Sequence, residues 1–315
     1  MAKVYVQAWA GPWGWRQAFY DWFDSDKHGF ELTESIADAD LVFQADTTDW
    51  RNVIDASKGK KLLCNVLDFA EWKEPDGAPS VDTIAQAKIF KAAGANFTAI
   101  SNKVIEQLDD FIGVEADLFY YPSQVTEQRM KETGLIGGKK MFITFSRLGD
   151  PGKAIPQAIE AFEQSKLAEA GWRYMLVGPE RPPVATLPNR VMYAGYVNAD
   201  QLAMMIRQAG YVFMPSYGEG LGLPIIEGSL LGTPYVTRAI EPMRTLLDET
   251  WDTTCAFKDD DAMSAALVSA ARDFKSDNYE WRVKWGFVSA KPWIRENAFD
   301  ALANRLKLEV SDVQH

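Results

Sequence analysis

Short apolar runs alternate with amphipathic stretches along most of the chain, and this alternation limits the fold more than any other feature. A strand buried on both faces reads as a continuous apolar run. A helix laid over such a strand reads as an apolar stripe of period 3.6. In alternation the two predict an α/β protein with mainly parallel sheets. In the first half, Lys3 to Ala8, Asp40 to Gln44, Lys61 to Asp68, Phe97 to Ser101 and Asp117 to Tyr121 read as strands. Trp15 to Phe23, Ser80 to Ala93 and Asn102 to Ile112 read as helices.

Between Lys131 and Lys140 the rhythm breaks at Gly134, Gly137 and Gly138, and Lys139-Lys140 adds charge there. It then restarts. Met141 to Ser146, Arg173 to Gly178, Val191 to Ala194, Tyr211 to Pro215 and Pro234 to Thr237 read as strands. Ala154 to Ala168, Ala199 to Ala209, Pro224 to Leu231 and Ala262 to Phe274 read as helices, and the tail from Trp293 to Leu308 is amphipathic. The chain of 315 residues is long enough for two domains. We expect an N-terminal α/β domain over 1–135 and a second over 136–290, with the amphipathic tail in 291–315. In open parallel sheets ligands bind outside the carboxyl ends of the strands. Two such domains place the expected site in a cleft between them.

Composition removes several chemistries. His28 and His315 are the only histidines, so a His/Asp dyad or a multi-histidine metal site is nearly excluded. The two cysteines, Cys64 and Cys255, lie far apart in apolar stretches and read as buried free thiols, which fits a reducing cytoplasm. The net charge of −11 does not favour a polyanionic partner at long range. No run approaches the roughly 18 apolar residues of a membrane span. The N-terminal MAKVYVQAWAGPWG lacks the apolar core and cleavage site of a signal peptide.

The segment from Tyr211, YVFMPSYGEGLGLPIIEGSLLGTPYV, concentrates the candidate chemistry. A strand ends at Pro215, a loop carries Gly218, Gly220 and Gly222, and a helix opens at Pro224. Glycine lets backbone approach a ligand, and a helix start offers N–H groups to an anion. Glu219 precedes the helix and Glu227 is expected in its first turn. Taken alone these residues leave two readings open, a seat for a phosphate or sugar hydroxyl and a plain turn whose carboxylate is favoured by the helix dipole.

The pattern Pro215-Ser216, Glu219-Gly220-x-Gly222-Leu223-Pro224-x-x-Glu227, Gly232-x-Pro234-x-Val236 resembles the signature of retaining glycosyltransferases of family 4. Phe145-Ser146-Arg147-Leu148 followed by Lys153 is similar to that family's Gly-Arg-Leu…Lys-Gly segment. Val177-Gly178-Pro179 and Ala194-Gly195-Tyr196-Val197 are similar to its two strand-end turns, and residues 97–125 to the strand-helix-strand before its domain linker. The resemblance covers roughly residues 97 to 275 and implies the GT-B fold: two Rossmann-like domains facing a central cleft, an acceptor-side one over 1–135 and one over 136–290 that holds a nucleotide-sugar donor, with the helix of 291–315 packing back on the first. It implies that Arg147 and Lys153 hold the donor diphosphate and that Glu227 bonds the ribose hydroxyls. Glu219 and the backbone of Gly220, Leu221, Gly222 and Leu223 would meet the transferred sugar. Gly178 and Gly195-Tyr196-Val197 would line the donor, the latter along the base. It further implies retention of anomeric configuration, with the leaving phosphate helping to remove the acceptor proton. No metal or cofactor is implied beyond the donor as co-substrate.

The chain also departs from that family. The family often places a histidine near the sugar, whereas His28 in Asp26-Lys27-His28-Gly29 reads as a surface turn before a strand. Asp68, at the end of the Lys61 strand, is the alternative candidate, beside a plain loop-capping role. After Thr237 the family shows a Gly-Gly pair and a Glu, whereas this chain has Arg238-Ala239-Ile240-Glu241-Pro242-Met243-Arg244. The N-terminal aromatics Trp9, Trp13, Trp15, Phe19, Tyr20, Trp22 and Phe23 read mostly as core. Trp13 and Trp15, beside Gly11 and Gly14, could instead stack on an acceptor ring. The acceptor classes are a small molecule, glycan or lipid-linked sugar, or a hydroxymethylated base in DNA as in small phage enzymes. A non-catalytic nucleotide-sugar or glycan-binding protein is the reading from another class.

Overall fold

The computed structural model describes residues 1–8, 15–46, 49–69, 79–132, 138–243 and 256–311. The candidates Gly11, Trp13 and Gly14, together with Trp9 and Cys255 and the expected boundary glycines Gly134 and Gly137, lie outside them. The chain divides into two compact units. One comprises residues 1–69, 79–122 and 295–315, the other 70–78 and 123–294.

The N-terminal unit is a six-stranded, wholly parallel sheet. Its strands are β1 (Lys3–Gln7), β2 (Glu31–Leu32), β3 (Leu41–Gln44), β4 (Lys61–Val66), β5 (Asn96–Ala99) and β6 (Asp117–Leu118), in the order β2-β1-β3-β4-β5-β6. The apolar runs mark its centre because β3 is buried along its whole length and β4 nearly so. The expected strand from Asp117 to Tyr121 forms only at Asp117–Leu118, because the chain leaves the sheet edge to bury Phe119 against Trp15 and Phe43.

Helix α1 (Arg16–Trp22) starts this unit's aromatic core. Trp15, just before it, is buried among Phe19, Phe119, Tyr121 and Phe299, so it is core and cannot stack on an acceptor. His28 corrects the surface reading. It ends a short helix, α2 (Ser25–His28), is buried, and packs on Phe23 and Trp22 with ring centroids 4.8 and 5.2 Å apart. Its Nδ1 lies 2.7 Å from the Asp24 carbonyl. It also leads into β2, at the amino edge of the sheet, away from the carboxyl ends where such sheets bind ligands. The polar neighbours Asp26 and Lys27 gave a misleading signal because burial here is set by two aromatic rings earlier in the chain.

The C-terminal residues belong to the same unit. Helix α12 (Arg295–Ser311) buries Phe299, Leu302, Leu306 and Val310, each worth about 2 kcal/mol of apolar burial. Near its end Glu309 is buried, accepts from Asn96 Nδ2 at 2.8 Å and pairs with Lys61 at 2.9 Å and with Arg305. Cys64 in β4 is a buried free thiol, and burial pushes it well above the usual thiol range.

The second unit repeats the architecture. Its strands are β7 (Lys139–Phe145), β8 (Arg173–Val177), β9 (Val191–Tyr193), β10 (Ala209–Met214), β11 (Tyr235–Arg238) and β12 (Ala256–Phe257). All are parallel, in the order β12-β11-β10-β7-β8-β9. Between α2 and α12 the described helices are, in chain order, α3 (Trp50–Ala56), α4 (Val81–Ala92), α5 (Asn102–Ile112), α6 (Glu127–Glu132), α7 (Ile155–Gln164), α8 (Ala199–Gln208), α9 (Leu223–Leu230), α10 (Asp260–Asp273) and α11 (Asp277–Ala290). Phe142, Trp172, Tyr174, Tyr211 and Phe213 form the middle of the core. From β7 the chain winds one way through β8 and β9, then returns to lay β10 on the other side of β7. The strand order therefore reverses between β7 and β10. A crevice outside the carboxyl ends of strands at such a reversal is the general ligand seat of open α/β sheets. Among the described residues no helix is long and apolar enough to cross a membrane.

Candidate functional site

The two loops that flank this reversal carry the residues singled out in the sequence. After β7 the chain runs from Ser146 into a 3₁₀ turn, Pro151–Lys153. Asp150 caps that turn, its carboxylate accepting the Gly152 N–H at 2.9 Å. Lys153 closes the turn immediately before α7. After β10 the loop Pro215 to Gly222 leads into α9. The Tyr217 N–H donates to the Gly152 carbonyl at 2.9 Å, which joins the two loops backbone to backbone.

Across that joint Lys153 Nζ donates to Glu219 Oε1 at 2.6 Å. Both side chains are mostly buried, 15% and 13% exposed. The structure thus brings together two candidates 66 positions apart in sequence. Two opposite charges this close compensate each other, so an anionic ligand at Lys153 competes with Glu219 for its charge. Arg147 lies on the same loop but faces outward. Its side chain is 67% exposed and pairs with Asp150 at 2.8 Å. An exposed pair of this kind contributes under about 1 kcal/mol, so Arg147 can exchange Asp150 for a phosphate at little cost.

Gly222 sits before α9 with φ of +83°, a conformation that L side chains rarely adopt, and a Cβ there would lie 2.0 Å from Met243 Cε. Gly220 and Leu221 are buried, and Leu223 is half-buried. Glu227 differs from expectation. Helix α9 begins at Leu223, so Glu227 is its fifth residue and the first turn holds no acid. The helix dipole fades beyond the first turn and does not account for a carboxylate only 7% exposed. A hydrogen bond does. The Gln124 N–H donates to Glu227 Oε1 at 2.8 Å.

The ends of β8 and β9 complete the carboxyl edge. The Gly178 N–H donates to the Gly195 carbonyl at 3.1 Å, and the Tyr193 hydroxyl donates to the Gly178 carbonyl at 3.1 Å. Tyr196 is half-exposed, and Val197 is half-buried. Gly178 itself is buried, and a Cβ on it would lie 2.2 Å from the Ser146 carbonyl oxygen. Its glycine is accounted for by close backbone packing under the Ser146 to Lys153 loop. We expect Gly178→Ala to lower stability by about 1–3 kcal/mol through overpacking, read as a fall in Tm. An unchanged melting curve would show that the turn yields without cost.

In the N-terminal unit Asp68 follows β4, on the carboxyl edge of its sheet, and is half-buried. His28, as described above, is at the opposite edge. Sequence reading missed Asp150 and Tyr217 within the two loops, Arg238 and Asp260, which bond the second loop, and Gln124, which bonds Glu227. Only Arg238 had a signal, as an arginine ending the otherwise uncharged strand Tyr235–Arg238.

Residues 139–273 match the family model described as Glycosyl transferases group 1. The matched segment is less than half of the chain, and both loops lie inside it. No curated protein is a significant sequence match. Among solved structures, the chain is similar to HepE of Anabaena in complex with UDP and glucose, with TM-score 0.68 and 13% identity over 97% of this chain and 99% of that one. It is similar to the pneumococcal O-GlcNAc transferase GtfA in complex with UDP and GlcNAc, with TM-score 0.65 and 14% identity over 87% of this chain. It spans only 57% of the length of that transferase. It is also similar to sucrose-phosphate synthase from Thermosynechococcus elongatus, with TM-score 0.63 and 16% identity over 87% of this chain and 74% of that one. At these identities the likeness is one of fold. With the two parallel six-stranded sheets, it establishes the α/β GT-B class expected from the sequence.

Proposed function

We propose that this protein is a retaining glycosyltransferase that moves a hexose from a nucleoside-diphosphate sugar to a hydroxyl of a small molecule, glycan or lipid-linked sugar. The observation that carries the reading is the Lys153–Glu219 pair at the strand-order reversal of the unit whose residues 139–273 match the group 1 glycosyl transferase model. A cation and a carboxylate held together are what a sugar diphosphate needs, one for the phosphate and one for a sugar hydroxyl.

In this reading the donor diphosphate takes Lys153 from Glu219, and Arg147 turns from Asp150 to the same phosphates. Glu219, released, accepts from a sugar hydroxyl, beside the backbone of Gly220, Leu221, Gly222 and Leu223. Glu227 keeps Oε1 on the Gln124 N–H and turns Oε2 to the ribose hydroxyls. Gly195, Tyr196 and Val197 lie along the base. The bond from the anomeric carbon to the β-phosphate oxygen breaks, and its electron pair stays on that oxygen. Lys153 and Arg147 stabilise the charge that grows there. The acceptor oxygen bonds the anomeric carbon on the same face, and its proton passes to the leaving phosphate. The cationic side chains supply the charge stabilisation without a metal. The N-terminal unit is the acceptor-side domain, with Asp68 its candidate on the carboxyl edge.

A panel of nucleotide sugars in a thermal-shift experiment tests the donor half. A donor at 100 times its Kd stabilises by about 2.7 kcal/mol. Transfer from the stabilising donor to a panel of hydroxyl acceptors, with the product's anomeric configuration read by NMR, tests the rest. An inverted product rejects retention, and no shift with any nucleotide sugar rejects the donor site.

A further inference from the structure

Arg238 ends β11 with only 4% of its side chain exposed. A buried guanidinium is retained only where its charge and its N–H groups are met. Here Nε donates to the Pro215 carbonyl at 3.3 Å and Nη2 pairs with Asp260 Oδ1. The guanidinium also lies over the rings of Tyr217 and Phe257, 4.8 and 5.1 Å from their centroids. The second Asp260 oxygen accepts the Tyr217 hydroxyl at 3.1 Å. Asp260 is the first residue of α10, where the helix dipole favours a carboxylate. Burial, and then the neighbouring Asp260, push the Tyr217 phenol above its usual range, so it stays a donor at neutral pH.

These three residues grip the Pro215 to Gly222 loop from the side of the sheet. Tyr217 is tied at both ends, its hydroxyl to Asp260 and its backbone N–H to the Gly152 carbonyl, one residue before Lys153. Glu219 follows two residues later. The position of Glu219 against Lys153 therefore depends on where Tyr217 is held. A leucine or methionine at 238 would fill the volume but could not bond Pro215 and Asp260 while lying over Tyr217, and a lysine lacks the planar fork.

We propose that Arg238, acting with Asp260 through Tyr217, is a positioning residue for the donor site, setting the separation of the two loops at which Lys153 meets the donor diphosphate. This rests on the reading of Lys153 as the diphosphate cation. The test is a set of binding cycles, with UDP and GDP each titrated calorimetrically into the wild type and the variants. These are Arg238→Lys, Tyr217→Phe, Lys153→Ala, and the two doubles that combine Lys153→Ala with one of the others. Tyr217→Phe removes a single hydroxyl and keeps the test readable if Arg238→Lys fails to fold. Arg238→Lys and Tyr217→Phe are each expected to weaken binding about tenfold in the wild-type background, and by less than about twofold once Lys153 is gone, since sites coupled through a shared backbone link are non-additive. A purely structural arginine would cost the same in both backgrounds, and that result overturns the proposal. If Lys153→Ala alone leaves binding of both diphosphates unchanged, the donor-site reading falls and takes the proposal with it.

Discussion

Lys153→Ala is expected to lower kcat/KM for the nucleotide-sugar donor by about 10²- to 10³-fold, the range seen when one preorganised donor to a developing oxyanion is removed. The expectation comes from its surroundings. Lys153 is mostly buried, fixed at the end of a 3₁₀ turn whose backbone is bonded to the facing loop. A charge held this way needs little rearrangement when the leaving phosphate gains charge. Arg147, two-thirds exposed and free to change partners, is expected to matter less, and Arg147→Ala should cost about tenfold. Glu219→Gln separates the two halves of the pair. It removes the competitor for Lys153, so nucleoside diphosphate should bind at least as tightly as to wild type, while sugar transfer falls. Steady-state kinetics with the stabilising donor, beside calorimetry with the nucleoside diphosphate alone, reads all three variants. Wild-type kcat/KM in Lys153→Ala would remove the central residue of the mechanism.

The second large effect is expected at Glu227, where stability and binding are joined in one carboxylate. Glu227→Ala takes a buried acceptor from the partly buried Gln124 N–H. An unmet buried donor costs about 1–3 kcal/mol, and each kcal/mol corresponds to a Tm change of about 2–4 °C in a unit of this size. The same change removes the proposed ribose contact, so donor affinity should fall by more than tenfold. Glu227→Gln keeps an oxygen for Gln124 and should recover most of the Tm, yet not the affinity, because a charged acceptor bonds more strongly than an amide. Thermal melts and donor titrations on the two variants show whether stability and affinity separate. If Glu227→Gln binds donor as the wild type does, the ribose role is wrong and the carboxylate has a structural role only.

Much of the fold was legible because buried parallel strands leave an unmistakable mark. Tyr211 to Pro215 reads as a strand in sequence, and β10 is buried at every position. The helix Ser80 to Ala93 also came out nearly as expected, at Val81–Ala92. Helix α11 was missed because its sequence shows no single apolar face: Trp281, Trp285 and Val288 are exposed, while Arg282 is buried and paired with Asp273. The helix Trp50–Ala56 was missed because it opens after Asp49 in a left-handed conformation that no local pattern announces. The strand Ala256–Phe257 is too short to have a period.

The candidate site divides along the same line. The sequence alone determined the segments that carry it, the loop after Phe145 and the loop before Pro224, because glycines, a proline and charged residues at strand ends are local features. It also determined Lys153, Glu219 and Glu227 as residues of interest. Only the tertiary structure decided their partners. Lys153 reaches Glu219 across 66 positions because the chain returns β10 to the side of β7 after two strands on the other side, and Glu227 meets Gln124 across 103. It also moved Glu227 out of the first helical turn, buried His28, and placed Arg238 behind Tyr217. Local periodicity records which face of an element is covered. It carries no record of which loops a crossover will set side by side, and that juxtaposition is where the charges of this site find one another.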